Sequence, residues 1–470
     1  MEPDIFRLGV RVLGKRMRAR TLRAREVLDH YLERIERLNP TLNAFVTIDA
    51  DGARRSADAA DARFAQQASL GPLDGIPIAI KDNILVAGQR AVWGSCLYEH
   101  HIPEHDELPV ALLRSAGAVL LGKTNVPEFT LRGYTGNPVF GVTGNPWNPA
   151  LTPGGSSGGS VAAIASGLVP LSLATDGGGS IRRPAGYAGL VGLKPTLSRI
   201  PRAGGLPQIL YDCEVVGPLA RTSDDLRLMM SVIARPHRLD PRSRGFMPIM
   251  TSAQPPKSLR IRFVERFGDA PVDAEIIASC RHAAAVLRKL GHRVESGPLP
   301  LSIDQINAQW LKFGNVGLSM LSRLEKDFDA LASAAFVEQA RSGDAISGAE
   351  YLQLLEMLFA FRSEAGRVFE DLDIIMTPTA AAQPWPKATA FPAHIDGRDA
   401  GPRGHAVFTN WVNACGHPAI ALPAPPSLDG MPIGLQLVGD FGADELLLDL
   451  AAQYEVASPW AQRWPEIAVS

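Results

Sequence analysis

The sequence predicts an α/β fold in which helices alternate with strands around a central, buried sheet. Three observations carry this expectation. Stretches with apolar residues at helical spacing alternate with short apolar runs of strand length. The helices and strands interleave along the whole chain instead of segregating, which is the pattern of a layered α/β body. The 470 residues are 46% hydrophobic and 20% charged, a globular balance in a chain long enough to bury a large core. By length alone the chain fits about three units, but a large α/β enzyme can be one body.

The elements follow in order. Residues 22–38 read as an amphipathic helix: Ala24, Val27, Leu28, Tyr31, Leu32, Ile35 and Leu38 share a face, and Pro40 is expected to stop it. Residues 52–68, Ala-rich with interspersed charges, read as a second helix. Ile76–Ile80 reads as a strand, 109–116 as a helix and Ala118–Leu121 as a strand. Residues 160–167 read as a small-residue helix after a glycine loop. Leu171–Ala174, Leu190–Leu193, 259–264, Ile374–Met376 and Ile433–Val438 are further strands. Residues 237–257 read as a Pro-, Arg- and Ser-rich surface linker. Residues 303–370 read as mostly helical, with Trp310, Phe313, Leu318, Met320 and Leu321 among their apolar positions. Residues 379–404 lack periodicity and read as a long loop, a form often taken by lids and binding loops.

Composition excludes several function classes. The 47 basic and 49 acidic residues give a net charge of -2, no footprint for nucleic acid. The one basic run, Lys15 to Arg25, reads as a solvated helix face. No apolar stretch suits a signal peptide or a membrane span. Cys96, Cys213, Cys280 and Cys415 are scattered without a CxxC pair, as expected of reduced thiols in a cytoplasmic protein. His100, His101 and His105 cluster without an acidic or Cys partner at a firm spacing and read as a polar loop, so no metal is expected.

The chemistry-bearing segments are two glycine loops. Pro153-Gly154-Gly155-Ser156-Ser157-Gly158-Gly159-Ser160 is followed closely by Thr175-Asp176-Gly177-Gly178-Gly179-Ser180-Ile181-Arg182. Glycine lets backbone N–H groups approach a ligand closely, so two such loops with serines suit a site where donors surround a reacting oxygen. One loop alone would read as an ordinary turn. A third piece is Lys81, directly after the Ile76–Ile80 strand. Taken alone it reads as a surface lysine; buried, it would lose charge and become a base.

Together these pieces resemble the amidase signature family. The resemblance includes Gly75 through Asn83, Gly122-Lys123-Thr124-Asn125 with Glu128-Phe129, and Asn145-Pro146-Trp147-Asn148. It runs through both glycine loops to Pro184 and Gly192-Leu193-Lys194-Pro195-Thr196. It returns in Gly416-His417-Pro418-Ala419 and Gly430 to Gln436. The resemblance implies an α/β/α sandwich around a central mixed sheet with N-terminal helices. The chain then forms one domain over 1–470: an N-terminal helical segment (1–70), a signature core (71–235) and variable pocket helices and loop (303–404). It implies a Ser–Ser–Lys triad: Ser180 as nucleophile, Lys81 as base, and Ser156, after a cis peptide bond, as proton relay. The N–H groups of Gly177, Gly178, Gly179 and Ser180 would form the oxyanion hole, with Ser157, Asp176 and Arg182 in support. The implied reaction is hydrolysis of an aryl or alkyl carboxylic amide, with esters and carbamates presenting a similar carbonyl. No cofactor is called for. The expected partner is a small amide, with neither nucleic acid nor membrane, and a homodimer is the candidate assembly. Trp310, Phe313 and Trp385 hint at an apolar pocket, though core packing is the commoner fate of such residues.

Two positions depart from the family pattern. Gly177 stands where a larger residue is usual, which is expected to loosen the loop or open room for the acyl group. Glu214 stands where many members carry aspartate. Four other readings compete, one of them a non-enzymatic scaffold or inactive relative, which the presence of Lys81, Ser156 and Ser180 together disfavours. Gly154, Ser156 and Gly158 also satisfy the G-x-S-x-G elbow of α/β-hydrolases, with His405 and His417 as later histidines, but no H-G-G-G-type motif accompanies them. A phosphate loop lacks its lysine. The glutaminase component of a tRNA-dependent amidotransferase would use the same triad with a partner protein.

Overall fold

The protein is described by a computed structural model over residues 4–469. Eleven strands form one mixed sheet. From one edge they run Phe45–Ile48, Val119–Thr124, Pro77–Lys81, Leu171–Asp176, Val215–Ala220 and Val191–Lys194. The order continues through Ala419–Ala424, Ile433–Gly439, Ile374–Pro378, Arg260–Phe263 and Arg293–Ser296. Pairing is parallel among Val119–Thr124, Pro77–Lys81 and Leu171–Asp176, and again among Ile374–Pro378, Arg260–Phe263 and Arg293–Ser296. The middle of the sheet is antiparallel. The inner strands are buried at every residue, which explains their continuous apolar runs in place of alternation. No helix among the described residues is long and apolar enough to cross a membrane.

The sequence expectations need four corrections. Pro40 does not stop its helix, which runs Ala24–Leu42. Proline falls in the last turn, and the chain leaves at Asn43 in the left-handed conformation (φ 50°). There the Asn39 side chain accepts from the N–H groups of Ala44 (2.9 Å) and Phe45 (2.8 Å). Strands Phe45–Ile48, Val215–Ala220, Arg293–Ser296 and Ala419–Ala424 are absent from the sequence reading; Pro218 and Pro423 mask the second and fourth, and the other two are four-residue edge strands. Helices Ser223–Ile233, Ala274–Lys289 and Asp444–Ala457 are likewise absent from it. The 379–404 loop contains a small hairpin, His394–Ile395 against Arg398–Asp399.

The fold positions the site through one pair of strands. Pro77–Lys81 and Leu171–Asp176 are parallel neighbours, with Ile80 opposite Leu173, so their C-terminal ends open on the same edge. Lys81 ends one and Asp176 the other. Helices Gly158–Ala165 and Arg182–Ala188 each follow one glycine loop. The carboxyl ends of parallel strands are where α/β sheets place their ligands.

Candidate active site

Lys81 is fully buried and surrounded by oxygens. Its Nζ lies 2.8 Å from Ser156 Oγ, 2.9 Å from Thr175 Oγ1 and 3.1 Å from Thr175 O. A neutral amine has two N–H donors and one lone pair. Charged, Lys81 donates to all three oxygens; neutral, it can satisfy Thr175 with its two donors and offer its lone pair to the Ser156 hydroxyl. Burial pulls Lys81 down to about 7, against the opposing pull of Glu214 and Asp176. Asn83 Nδ2 donates to Thr175 Oγ1 at 3.1 Å and fixes the threonine. Neither Thr175 nor Asn83 stands out as a site residue in the sequence. The usable signal is their position: Thr175 opens the second glycine loop and Asn83 lies two residues after Lys81.

The peptide between Gly155 and Ser156 is cis. Ser157 N–H donates to Ser180 O (3.2 Å) and its hydroxyl to Thr175 O (3.4 Å), tying the two loops together. Ser180 is 7% exposed, faces the cavity, and its hydroxyl has no hydrogen-bond partner among the described residues. The structure thus joins Lys81 to Ser156 directly and brings Ser180 beside them without a Ser156–Ser180 hydrogen bond. Catalytic hydrogen bonds commonly tighten only in the substrate complex.

Asp176 and Arg182 form a fully buried ion pair beneath the Gly177–Ser180 loop. Arg182 Nη2 donates to Asp176 Oδ1 at 2.9 Å and Nε to Oδ2 at 3.0 Å. Arg182 also donates to Gln436 Oε1 (2.7 Å) and Thr409 O, and Asn413 Nδ2 donates to Asp176 Oδ1 (3.0 Å). Against the cost of burial, these donors hold the Asp176 carboxyl far below the usual carboxylate range.

The expected oxyanion hole needs a correction. Gly179 N–H donates to Asp176 Oδ1 at 2.7 Å, because the loop turns back over the carboxylate with Gly179 at φ 105°. Gly179 is therefore a conformational residue, and its N–H is already committed. The N–H groups of Gly177, Gly178 and Ser180 have no acceptor among the described residues. Arg183, next to the predicted Arg182, braces the same loop. It donates to Gly178 O and to Thr409 Oγ1 (2.9 Å), and reaches Gly155 O at 3.3 Å.

Gly177 has a spatial explanation. A Cβ there would lie 2.6 Å from Leu210 Cδ1 and 3.5 Å from Glu214 Cβ. The end of the Leu210 side chain occupies the space beside Gly177 that a larger residue would enter. Gly177→Val is expected to destabilise the fold by about 1–3 kcal/mol through overpacking. Leu210→Ala in the same chain is expected to recover most of that, measured as a double-mutant cycle by urea denaturation. Strict additivity of the two changes would contradict this account. Glu214 bonds Arg202 Nη1 at 2.8 Å, and Arg202 also holds Glu107 at 2.6 Å.

A cavity of about 510 Å³ opens over Ser180, Gly177 and Gly178. The 303–404 segment contributes Trp310, Leu311, Gly314, Gln339, Phe391 and Arg403 to its walls. Phe313 and Trp385 do not reach it. Phe313 is packed in the core beneath Trp310, and Trp385 packs on Tyr187 and His405. The 130–133 loop, with Arg132, also lines the cavity, a placement the sequence does not signal. The histidines of the esterase reading bond neither serine. His405 lines the cavity without a partner, and His417 pairs with Gly439 O at 3.2 Å.

Comparison with known proteins agrees with this geometry. The amidase family model matches residues 26–448. A Glutamyl-tRNA(Gln) amidotransferase subunit from Synechococcus sp. (strain CC9605) is 35% identical, covering 95% of this chain and 95% of that protein. The solved structure of a bacterial aryl acylamidase of the amidase signature family superposes with a TM-score of 0.90 at 29% identity, covering 98% of both chains. The 6-aminohexanoate cyclic dimer hydrolase solved with its substrate gives a TM-score of 0.86 at 28% identity, over 99% of this chain and 100% of that one. The chain belongs to the amidase family. It is an amidase-signature hydrolase acting on C–N amide bonds.

Proposed function

We propose that this chain is a free-standing amidase that hydrolyses a carboxylic amide through an acyl-Ser180 intermediate. The observation that carries the acyl-Ser180 chemistry is the contact of a buried Lys81 with Ser156 at 2.8 Å, with the lysine drawn down to about 7, and the likeness to an aryl acylamidase supports the free-standing form. A serine hydroxyl is a weak nucleophile until a base takes its proton. Lys81 takes the proton of Ser156 as Ser156 takes that of Ser180. Ser180 Oγ bonds to the carbonyl carbon, and the oxygen becomes an anion facing the N–H groups of Gly177, Gly178 and Ser180. Each such donor is worth on the order of 10² to 10³ in rate. The C–N bond breaks as Ser156 passes its proton to the departing nitrogen and recovers one from Lys81. Water, deprotonated by the same relay, then releases the acid. An aryl or alkyl amide is the first expected substrate, and the fold's likeness to an aryl acylamidase supports the aryl choice.

A second reading has its own observation. The relative at 35% identity is named as part of an amidotransferase, so the same site in this chain would release ammonia from glutamine with a partner chain. The purified chain alone, offered an aryl amide, an aliphatic amide, glutamine, an ester and an aryl carbamate, separates the two. Turnover of a simple amide that vanishes in Ser180→Ala is the expected result. Turnover of glutamine alone, and only after a partner is added, would replace the first reading with the second.

A further inference from the structure

The cavity over Ser180 is lined by more cationic than anionic side chains. Arg132, Arg183 and Arg403 line it, and Glu214 is the one carboxylate among its described lining residues. Glu214 is already paired with Arg202. Arg183 is occupied by the backbone carbonyls and Thr409 of the nucleophile loop.

Arg132 and Arg403 are different. Neither guanidinium has a hydrogen bond or ion pair among the described residues. Arg132 is half-buried, and its Cζ lies 4.3 Å from the centroid of the Phe336 ring. Phe336 is itself fixed edge-on against Phe129, with centroids 5.3 Å apart. The ring face supports the guanidinium while leaving its N–H donors unused. Arg403 lines the cavity and is exposed. His405 cannot balance them: it is 2% exposed, both ring nitrogens are unbonded, and burial together with Arg183 and Arg403 keeps it neutral.

We propose that the substrate amide carries a carboxylate remote from the scissile carbonyl, held by Arg132 and Arg403 of the cavity lining. This rests on the acyl-Ser180 reading of the site. A guanidinium fork matches the two oxygens of a carboxylate, and the pair strengthens as the cavity excludes water. The same inventory disfavours a zwitterion such as glutamine, because an ammonium would need a free carboxylate and Glu214 is committed to Arg202. The substrate class is thus the monoanionic amide: a dicarboxylic acid monoamide, or an amide of an amino acid whose amine is the acylated nitrogen.

Two matched substrate pairs test this with the purified chain: glutaryl against valeryl 4-nitroanilide, and N-acetyl-4-aminobenzoate against acetanilide. The expected result is kcat/KM at least about 10-fold higher for the carboxylate member of one pair, expressed mainly in KM. That ratio is expected to fall about 10-fold in Arg132→Met and in Arg403→Met, to be partly restored in Arg132→Lys, and to shrink with added salt. Arg403 is exposed, so its variant and the salt series carry the test even if Arg132→Met fails to fold. Ser180-dependent cleavage with a ratio of one or less in both pairs would overturn the inference and leave the amidase reading standing. A ratio unmoved in the double variant Arg132→Met/Arg403→Met would do the same. Absence of cleavage of every amide, or cleavage surviving in Ser180→Ala, would overturn the amidase reading and this inference with it.

Discussion

Replacing Ser180 with alanine is expected to lower kcat/KM for every amide this chain cleaves by about 10⁴-fold or more, in line with other serine hydrolases stripped of their nucleophile. The effect is large because the alanine chain can form no acyl intermediate, and the remaining donors can only polarise a carbonyl that nothing attacks. The fold is expected to survive. Ser180 Oγ faces the cavity and has no hydrogen bond to lose, whereas the loop is held from below by Asp176, Arg182 and Arg183. Initial rates together with thermal melting of the variant check both halves. Turnover within tenfold of the parent chain would remove Ser180 from the chemistry.

Replacing Lys81 with methionine, a side chain of similar length, is expected to cost about 10³-fold at neutral pH, the usual scale for a positioned base. The pH dependence has a definite sign. The base works without its proton, so kcat/KM of the parent chain rises with pH through about 7 and then levels. An ordinary lysine, near 10.4, would be neutral in only a few molecules per ten thousand at pH 7. Stability follows the same group. The folded value, about 7, lies below the unfolded one, so the unfolded chain binds more protons between those values. The contribution of Lys81 to stability therefore rises with pH across that window and is lost as pH falls toward 7. Urea midpoints are expected to move in favour of the parent chain over Lys81→Met between pH 6 and pH 9. A difference that is flat or reversed in sign would show that Lys81 stays charged in the folded protein.

Much of this site is written in local sequence because its parts are local. Lys81 ends an unbroken apolar strand, and each serine sits in a glycine loop that opens a helix. The Asp176–Arg182 pair closes across six residues of chain. What the sequence conceals depends on segments far apart in the chain. Phe313 and Trp310 are three residues apart on one helix, yet only the indole reaches the cavity, because the neighbouring core cluster takes the phenyl ring. The space beside Gly177 is filled from Leu210, more than thirty residues away. Gly179 looks like a fourth oxyanion donor until the Asp176 carboxylate is seen beneath its N–H. Strands Val215–Ala220 and Ala419–Ala424 are masked by Gly217-Pro218 and Pro423, punctuation that elsewhere marks a turn. Here buried neighbours on both sides impose the extended form.

The central claim is that Ser180 carries the acyl group with Lys81 driving its ionisation. Intact-mass and peptide-mapping analysis after exposure to an aryl carbamate tests it most directly, since the carbamoyl ester formed on a serine hydrolyses slowly enough to be caught. The account predicts one adduct, on the peptide holding Ser180, absent in Ser180→Ala and formed at least about 100-fold more slowly in Lys81→Met. An adduct on Ser156, or one forming on Ser180 at the same rate without the Lys81 amine, would contradict it.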